Sequence, residues 1–166
     1  MKNKKGFTLI ELLAVLVILG IVSFIAVPNV VELINGNKKE TILSDARKML
    51  SQAKYEVATN KSVRDIGSYT YYLSDLAAAA DLKMDPNGNP YDTANSYVKY
   101  AKINNVDTYC VYLVSREQGE NRLGDIKMIV GQTNAGKTCS PTDSSTGSCT
   151  CVSESNLFSR DRAYLE

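Results

Sequence analysis

The stretch Gly6-Phe7-Thr8-Leu9-Ile10-Glu11, followed by LLAVLVILGIVSFIAVPNVV over residues 12–31, decides the fold. Twenty consecutive residues, Leu12 to Val31, carry no charge, and sixteen are Ala, Val, Ile, Leu or Phe. In a helix, about 20 residues reach about 30 Å, the hydrocarbon thickness of a bilayer. Fourteen of the sixteen are Leu, Ile, Val or Phe, each favouring insertion by roughly 0.3–0.6 kcal/mol at mid-helix. Lys2, Lys4 and Lys5 precede the run. The positive-inside rule keeps that end cytoplasmic and sends the rest of the chain outside. A secretory signal peptide or a plain anchor would explain this much. Neither explains Glu11, because a carboxylate at the edge of an apolar layer is costly without a partner.

A short basic leader, a glycine, an aromatic residue, a glutamate five positions after the glycine and an uninterrupted apolar run stand here in one register. This arrangement resembles the type IV prepilin family. The resemblance implies cleavage after Gly6 by prepilin peptidase, leaving residues 1–6 as leader. It implies N-methylation of the new terminus, Phe7, and assembly through Phe7, Thr8 and Glu11, with the Phe7 ammonium of one subunit meeting Glu11 of a neighbour. Gly20 and Pro28 stand where the family places its helix-loosening residues. Pro28 removes a backbone donor and clashes one turn back, so a static kink is the simpler expectation there.

Outward from the run, Ile42, Ala46, Met49, Ala53 and Val57 recur at helical spacing. Lys39, Glu40, Asp45, Arg47, Lys48 and Lys54 fall on the other side and read as a solvated face. Helix is therefore expected from about Phe7 to near Asn60, with a weak point at Asn35-Gly36-Asn37. Residues 60–70 read as a polar connector, and Tyr71 to Leu82 as a short helix. Asp85-Pro86-Asn87-Gly88-Asn89-Pro90-Tyr91 is dense turn chemistry. It also resembles a segment that precedes the sheet in pilins and secretion pseudopilins. Its oxygen spacing hints at calcium, but the EF-hand positions that need Gly and Glu are Pro90 and Ser96. Strands are expected at Tyr97–Ile103 and Thr108–Ser115, joined by Asn104-Asn105. Gln118 to Asn121 reads as a turn. A further strand is expected at Asp125–Val130, with Ile126, Met128 and Val130 packing on the helix and the other face left to solvent or neighbouring subunits. Ten tyrosines suit a half-buried sheet.

The expected architecture is α+β: a leader (1–6), a transmembrane or filament-core helix (7–31) and a globular domain (32–166). That domain contains the helix continuation, an antiparallel sheet over about 97–131 and a cysteine loop at 139–151. Cys110, Cys139, Cys149 and Cys151 are the only cysteines. A bond between Cys149 and Cys151 is strained. This leaves 110–149 with 139–151, or 110–151 with 139–149, beside a structural zinc site or free thiols. In the tail, Leu157, Phe158, Tyr164 and Leu165 are candidates to dock on the sheet edge.

Composition bounds the chemistry. The chain has 166 residues, 44% hydrophobic and 22% charged, with nineteen basic and eighteen acidic residues and no histidine. Absence of histidine removes Ser-His-Asp triads, Cys-His nucleophiles and His-Glu-x-x-His zinc sites. The charge balance supplies no global basic field for nucleic acid. Gly131-Gln132-Thr133-Asn134-Ala135-Gly136-Lys137-Thr138 fits a phosphate-loop pattern. Such a loop needs a helix next, and Cys139-Ser140-Pro141 opens loop composition instead, so Gly131, Gly136, Lys137 and Thr138 are rejected as a nucleotide site. No enzyme, cofactor or resident metal is expected. The resemblance implies a pilus subunit for adhesion or motility, with other pilins, prepilin peptidase and the assembly platform and its ATPase as partners. Host surfaces or DNA are further candidates. Such a protein starts in the cytoplasmic membrane and ends in an extracellular filament. A pseudopilin of a type II secretion or DNA-uptake machine shares every N-terminal feature, and a membrane-anchored extracellular binding domain is the third reading.

Overall fold

A computed structural model describes residues 7–118, 123–133 and 149–158. The chain divides into two compact units, residues 1–37 and 38–166. Helix α1 runs Leu9–Thr59, within two residues of the expected bounds at each end. Helical backbone is assigned without interruption through Gly20, Pro28 and Asn35-Gly36-Asn37.

In the second unit, α1 turns one face inward. Ile42, Leu43, Ala46, Met49, Leu50, Ala53 and Val57 are all at most 2% exposed. The spacing of three and four residues aligns them on one stripe. They join Val98, Tyr100, Val111, Leu113 and Val130 of the sheet in one core. Burial of such side chains is worth about 1.5–3 kcal/mol each, so packing rather than helix propensity holds this part of α1.

The connector expected at residues 60–70 is structured. Helix α2 (Lys61–Ile66) is capped by Asn60, whose side chain accepts from Val63 N, and closes on Gly67 at φ +76°. Strand β1 follows at Ser68–Tyr72. Because Tyr71 and Tyr72 pair with β2, helix α3 begins later than expected and covers Leu73–Ala80. Polar composition hid both elements: an N-cap asparagine and alternating tyrosines look like loop when counted by polarity alone.

The main sheet is antiparallel. Its path is β1, β2 (Tyr97–Ile103), β3 (Val106–Gln118) and β4 (Leu123–Val130). The β2–β3 hairpin turns at Asn104 and Asn105, with φ of 52° and 65°. Asparagine tolerates this left-handed region, which hairpin turns of matching twist require. Residue 118 ends β3 rather than opening a turn, and residues 119–122 lie outside the described set. The sheet thus starts at Ser68, well before the expected 97, and the Asp85–Tyr91 segment lies after its first strand, not ahead of it.

Two short strands, β5 (Gln132–Thr133) and β6 (Cys149–Thr150), pair with each other. Strand β7 (Val152–Ser153) adds to β3 beside Cys110 and Val111 and leads into helix α4 (Glu154–Leu157). Met128 and Val130 face the main core as expected. The side chain of Ile126 lies outside the description. The opposite face is not simply left to solvent: Tyr112, Val114 and Ile129 are buried there, with Tyr97 and Cys151 packed on them.

The Asp85–Tyr91 turn rivets helix to sheet. Asp85, 5% exposed, accepts from Asn87 N at 2.8 Å, Asn89 N at 2.9 Å and Ser115 Oγ at 2.6 Å. Its oxygens are committed to protein donors, which explains the carboxylate without calcium. Tyr91 donates its hydroxyl to Asp45 Oδ2 of α1 at 2.8 Å. Asp92 is held by the Arg116 guanidinium at 2.9 Å. Asp45 therefore belongs to the buried tie, not to the solvated face on which its spacing placed it. Replacing Tyr91 by Phe leaves that buried carboxylate short of a donor and should cost about 1–3 kcal/mol. An unchanged denaturant midpoint for Tyr91→Phe would remove the tie from the account.

Candidate processing and assembly site

Phe7 is 84% exposed and opens the described chain. Gly6, the expected residue before the cut, lies outside the described set. Helix α1 starts two residues after Phe7 because Thr8 and Glu11 form a reciprocal cap. Thr8 N donates to Glu11 Oε2 at 2.8 Å, Thr8 Oγ1 donates to the same oxygen at 2.8 Å, and Glu11 N donates to Thr8 Oγ1 at 3.4 Å. A Thr-x-x-Glu box satisfies two otherwise orphaned donors at a helix start. The structure thus brings Thr8 and Glu11 together and sets Phe7 beside them. Glu11, placed by sequence at the edge of the apolar layer without an internal partner, has one after all. The Thr-x-x-Glu spacing carried that signal.

Both Thr8 donors converge on Oε2, so among the described residues Oε1 accepts no hydrogen bond. An incoming cation would find that oxygen open, on a carboxylate already fixed in direction. The helix beyond it is apolar and uncovered: Leu9, Ile10, Leu16, Ile18, Ile21 and Leu33 are each at least 59% exposed. A continuous apolar surface of this extent marks an interaction face. Among the described residues no helix is long and apolar enough to cross a membrane. The side chains of residues 25, 26, 28 and 29 lie outside the description, and the uninterrupted stretch before them ends at Phe24.

Residues 1–27 match the family model of the prokaryotic N-terminal methylation motif. Such a motif is the kind carried by the signal peptides of type IV pilins and pseudopilins. No curated protein and no solved structure matches the chain. The pilin-type signal accounts for Gly6, Phe7 and Glu11 in one register. It implies processing by prepilin peptidase and assembly with other pilins. The α+β architecture, an N-terminal helix on an antiparallel sheet, is consistent with the pilin fold.

The far end of the chain is fastened by a different chemistry. Cys110 of β3 is bonded to Cys151, with the two Cα atoms 5.2 Å apart. This agrees with one of the two pairings left open by spacing. The Cys139 residue and the Cys149 side chain lie outside the description. Leu157 is fully buried, as its apolar character in the tail suggested. Arg47 donates to Leu157 O at 3.0 Å and stacks over the Phe158 ring, while Lys54 is ion-paired with Glu154. Sequence spacing put these two cations on a solvated face; they grip α4 instead. Tyr164 and Leu165 lie outside the described residues. In the phosphate-loop-like stretch, Gly131 faces the Tyr112 ring and Gln132–Thr133 pair with the returning β6 strand. Residues 134–138, including Gly136, Lys137 and Thr138, lie outside the description.

Burial pushes the hydroxyls of Tyr71, Tyr91, Tyr97, Tyr100 and Tyr112 above their ordinary value. Tyr109 rises to about 12, first through burial and then through the neighbouring Asp107 carboxylate. The unfolded chain loses these protons first, near the ordinary value of 10, so it binds fewer protons than the folded one. Stability is full below pH 10 and falls as pH rises through about 12. Denaturant midpoints at pH 9 and pH 11 should show the loss, and equal midpoints would contradict the burial of these hydroxyls.

Proposed function

We propose that the protein is a structural subunit of a type IV pilus. It is inserted as a membrane precursor, cut after Gly6, N-methylated at Phe7 and polymerised through its apolar N-terminal helix. The observation that carries this reading is the junction itself: the methylation motif over residues 1–27 together with a capped Glu11 whose Oε1 is open. Cutting creates an ammonium on Phe7. In staggered parallel helices that ammonium of one copy reaches Glu11 of the next, a charge-assisted bond of the strong class. The run from Leu12 to Val31 serves lipid before assembly and neighbouring helices after it. Gly20 and Pro28 supply local freedom for that exchange. The globular domain then coats the filament outside the cell, for adhesion or motility.

The chain contributes no catalytic group, cofactor, resident metal or nucleotide site in this reading. The assembly ATPase and membrane platform supply the work. Cys139 pairs with Cys149, the partner left once Cys110 holds Cys151.

N-terminal sequencing and intact mass of the processed chain test the proposal. A methylated Phe7 at the new terminus is expected, whereas an intact Met1 or a cut after Val27 would overturn it. Shearing cells should then release filaments containing the chain. Processing with only a short, cell-bound structure would assign it to a secretion or DNA-uptake pseudopilin. Unpolymerised chain tethered at the surface would leave a membrane-anchored binding domain.

A further inference from the structure

The chain contains two Asn-Gly pairs, Asn35-Gly36 and Asn87-Gly88, and the fold treats them in opposite ways. Asn35 and Gly36 lie inside α1, where backbone amides are committed to the helix ladder. Asn87 and Gly88 are exposed in the turn before β2. Gly88 sits at φ +85°, with nothing within 4 Å of where a Cβ would stand. Among the described residues the Asn87 carboxamide makes no hydrogen bond. Only one bond restrains the Gly88 amide, its donation to Asp85 O at 2.9 Å, and single exposed turn bonds open at low cost.

We propose that Asn87 is a site of spontaneous covalent modification, a succinimide-forming position that converts the residue to aspartate and isoaspartate as the protein ages. Hydroxide removes the Gly88 amide proton, and the nitrogen attacks Asn87 Cγ. A C–N bond forms, the Cγ–Nδ2 bond breaks and Nδ2 takes a proton from water to leave as ammonia, which returns the hydroxide and closes a five-membered imide. Water then opens either carbonyl of the ring. One opening gives an ordinary aspartate, and the other gives a β-linked residue whose main chain passes through the former side chain. Nothing is oxidised or reduced. Glycine is the residue that permits the attack, since a side chain at that position would crowd the ring.

The place of the change gives it a consequence. Asn87 N and Asn89 N both donate to Asp85 Oδ1, at 2.8 and 2.9 Å. A β-linkage inserts one methylene between them, so the two donors no longer converge on one oxygen. The reaction also sets a new carboxylate beside buried Asp85. The same turn carries Tyr91 to Asp45, so ageing at Asn87 loosens the helix–sheet rivet. This inference does not rest on the pilus reading.

The test incubates the full chain, in detergent, in mildly alkaline buffer, with a denatured sample in parallel. Peptide mass mapping follows the gain of one mass unit at each asparagine, and isoaspartyl methyltransferase detects the β-linked product. In the native chain, Asn87 should convert at least about tenfold faster than Asn35, the two rates converging in denaturant, where the helix is lost. Aged wild-type protein should lose thermal stability, and Asn87→Gln, which keeps every bond made by residue 87, should not. Native conversion at Asn87 no faster than at Asn35 would overturn the proposal, as would conversion without isoaspartate.

Discussion

If the chain is a pilus subunit as proposed, Glu11→Ala should leave it in the membrane fraction and remove it from sheared filaments. The substitution deletes two interactions of different size. The intramolecular one is the exposed cap with Thr8 at the helix start. The intermolecular one is the proposed Phe7 ammonium pair. Each subunit addition then lacks a charge-assisted hydrogen bond, and a polymer compounds that loss at every subunit. The globular unit, residues 38–166, makes its own core and keeps its fold. Thr8→Ala separates the two roles, because it removes the hydroxyl of the cap while keeping the carboxylate. It should lower filament yield far less than Glu11→Ala. Wild-type filament levels from Glu11→Ala would end the pairing idea.

Loss of the Cys110–Cys151 bond should be the largest stability change available in the globular unit. The bond spans a sequence separation of 41 residues, for which loop-closure entropy gives about 4 kcal/mol. At about 3–5 °C per kcal/mol for a unit of this size, the melting temperature should drop by about 10–20 °C. Geometry adds to the effect, since β7 pairs with β3 through only two residues and cannot hold α4 alone. Once it detaches, Leu157 leaves the core and Arg47 and Lys54 lose their partners. Cys151→Ser should give this drop, and reductant on the wild-type chain should give one at least as large, because it also opens a Cys139–Cys149 bond; a melting temperature unmoved by either would refute the assignment. Mass after alkylation, with and without reduction, reports in the same experiment whether Cys139 and Cys149 are also paired.

Legibility followed the strength of periodic burial. The inward stripe of α1 was readable from Ile42 to Val57 because 3.6-residue spacing survives any neighbour; only Leu43 and Leu50, at the stripe's edges, were missed. Strand β2 and its Asn104-Asn105 turn were readable because β-branched and aromatic residues end on two residues that accept positive φ. Elements that owe their form to partners were not readable. Strand β1 is a polar segment that becomes a strand because β2 offers it an edge. Asp45, Arg47 and Lys54 looked solvated because nothing in helical spacing announces that Tyr91 and α4 arrive from 46 and about 100 residues away. The junction was legible as a pattern, and residues 1–27 match the methylation motif. The Thr8–Glu11 cap inside it is a local contact over three residues, which a pattern of charge and apolar run does not display.

The placement of the three polar ties on α1 has a mechanical meaning. Asp45, Arg47 and Lys54 lie within ten residues of helix, about 14 Å of axis. Asp45 joins α1 to the turn at Tyr91, and Arg47 and Lys54 join it to the two ends of α4, the backbone at Leu157 and the carboxylate of Glu154. A pull along α1 loads all three in shear at once, together with the apolar stripe beneath them. No end bond must fail first so that the others can be peeled in sequence. A domain carried on a tensioned cable is held best by fasteners of this kind, spaced along the cable so that the load is shared among them.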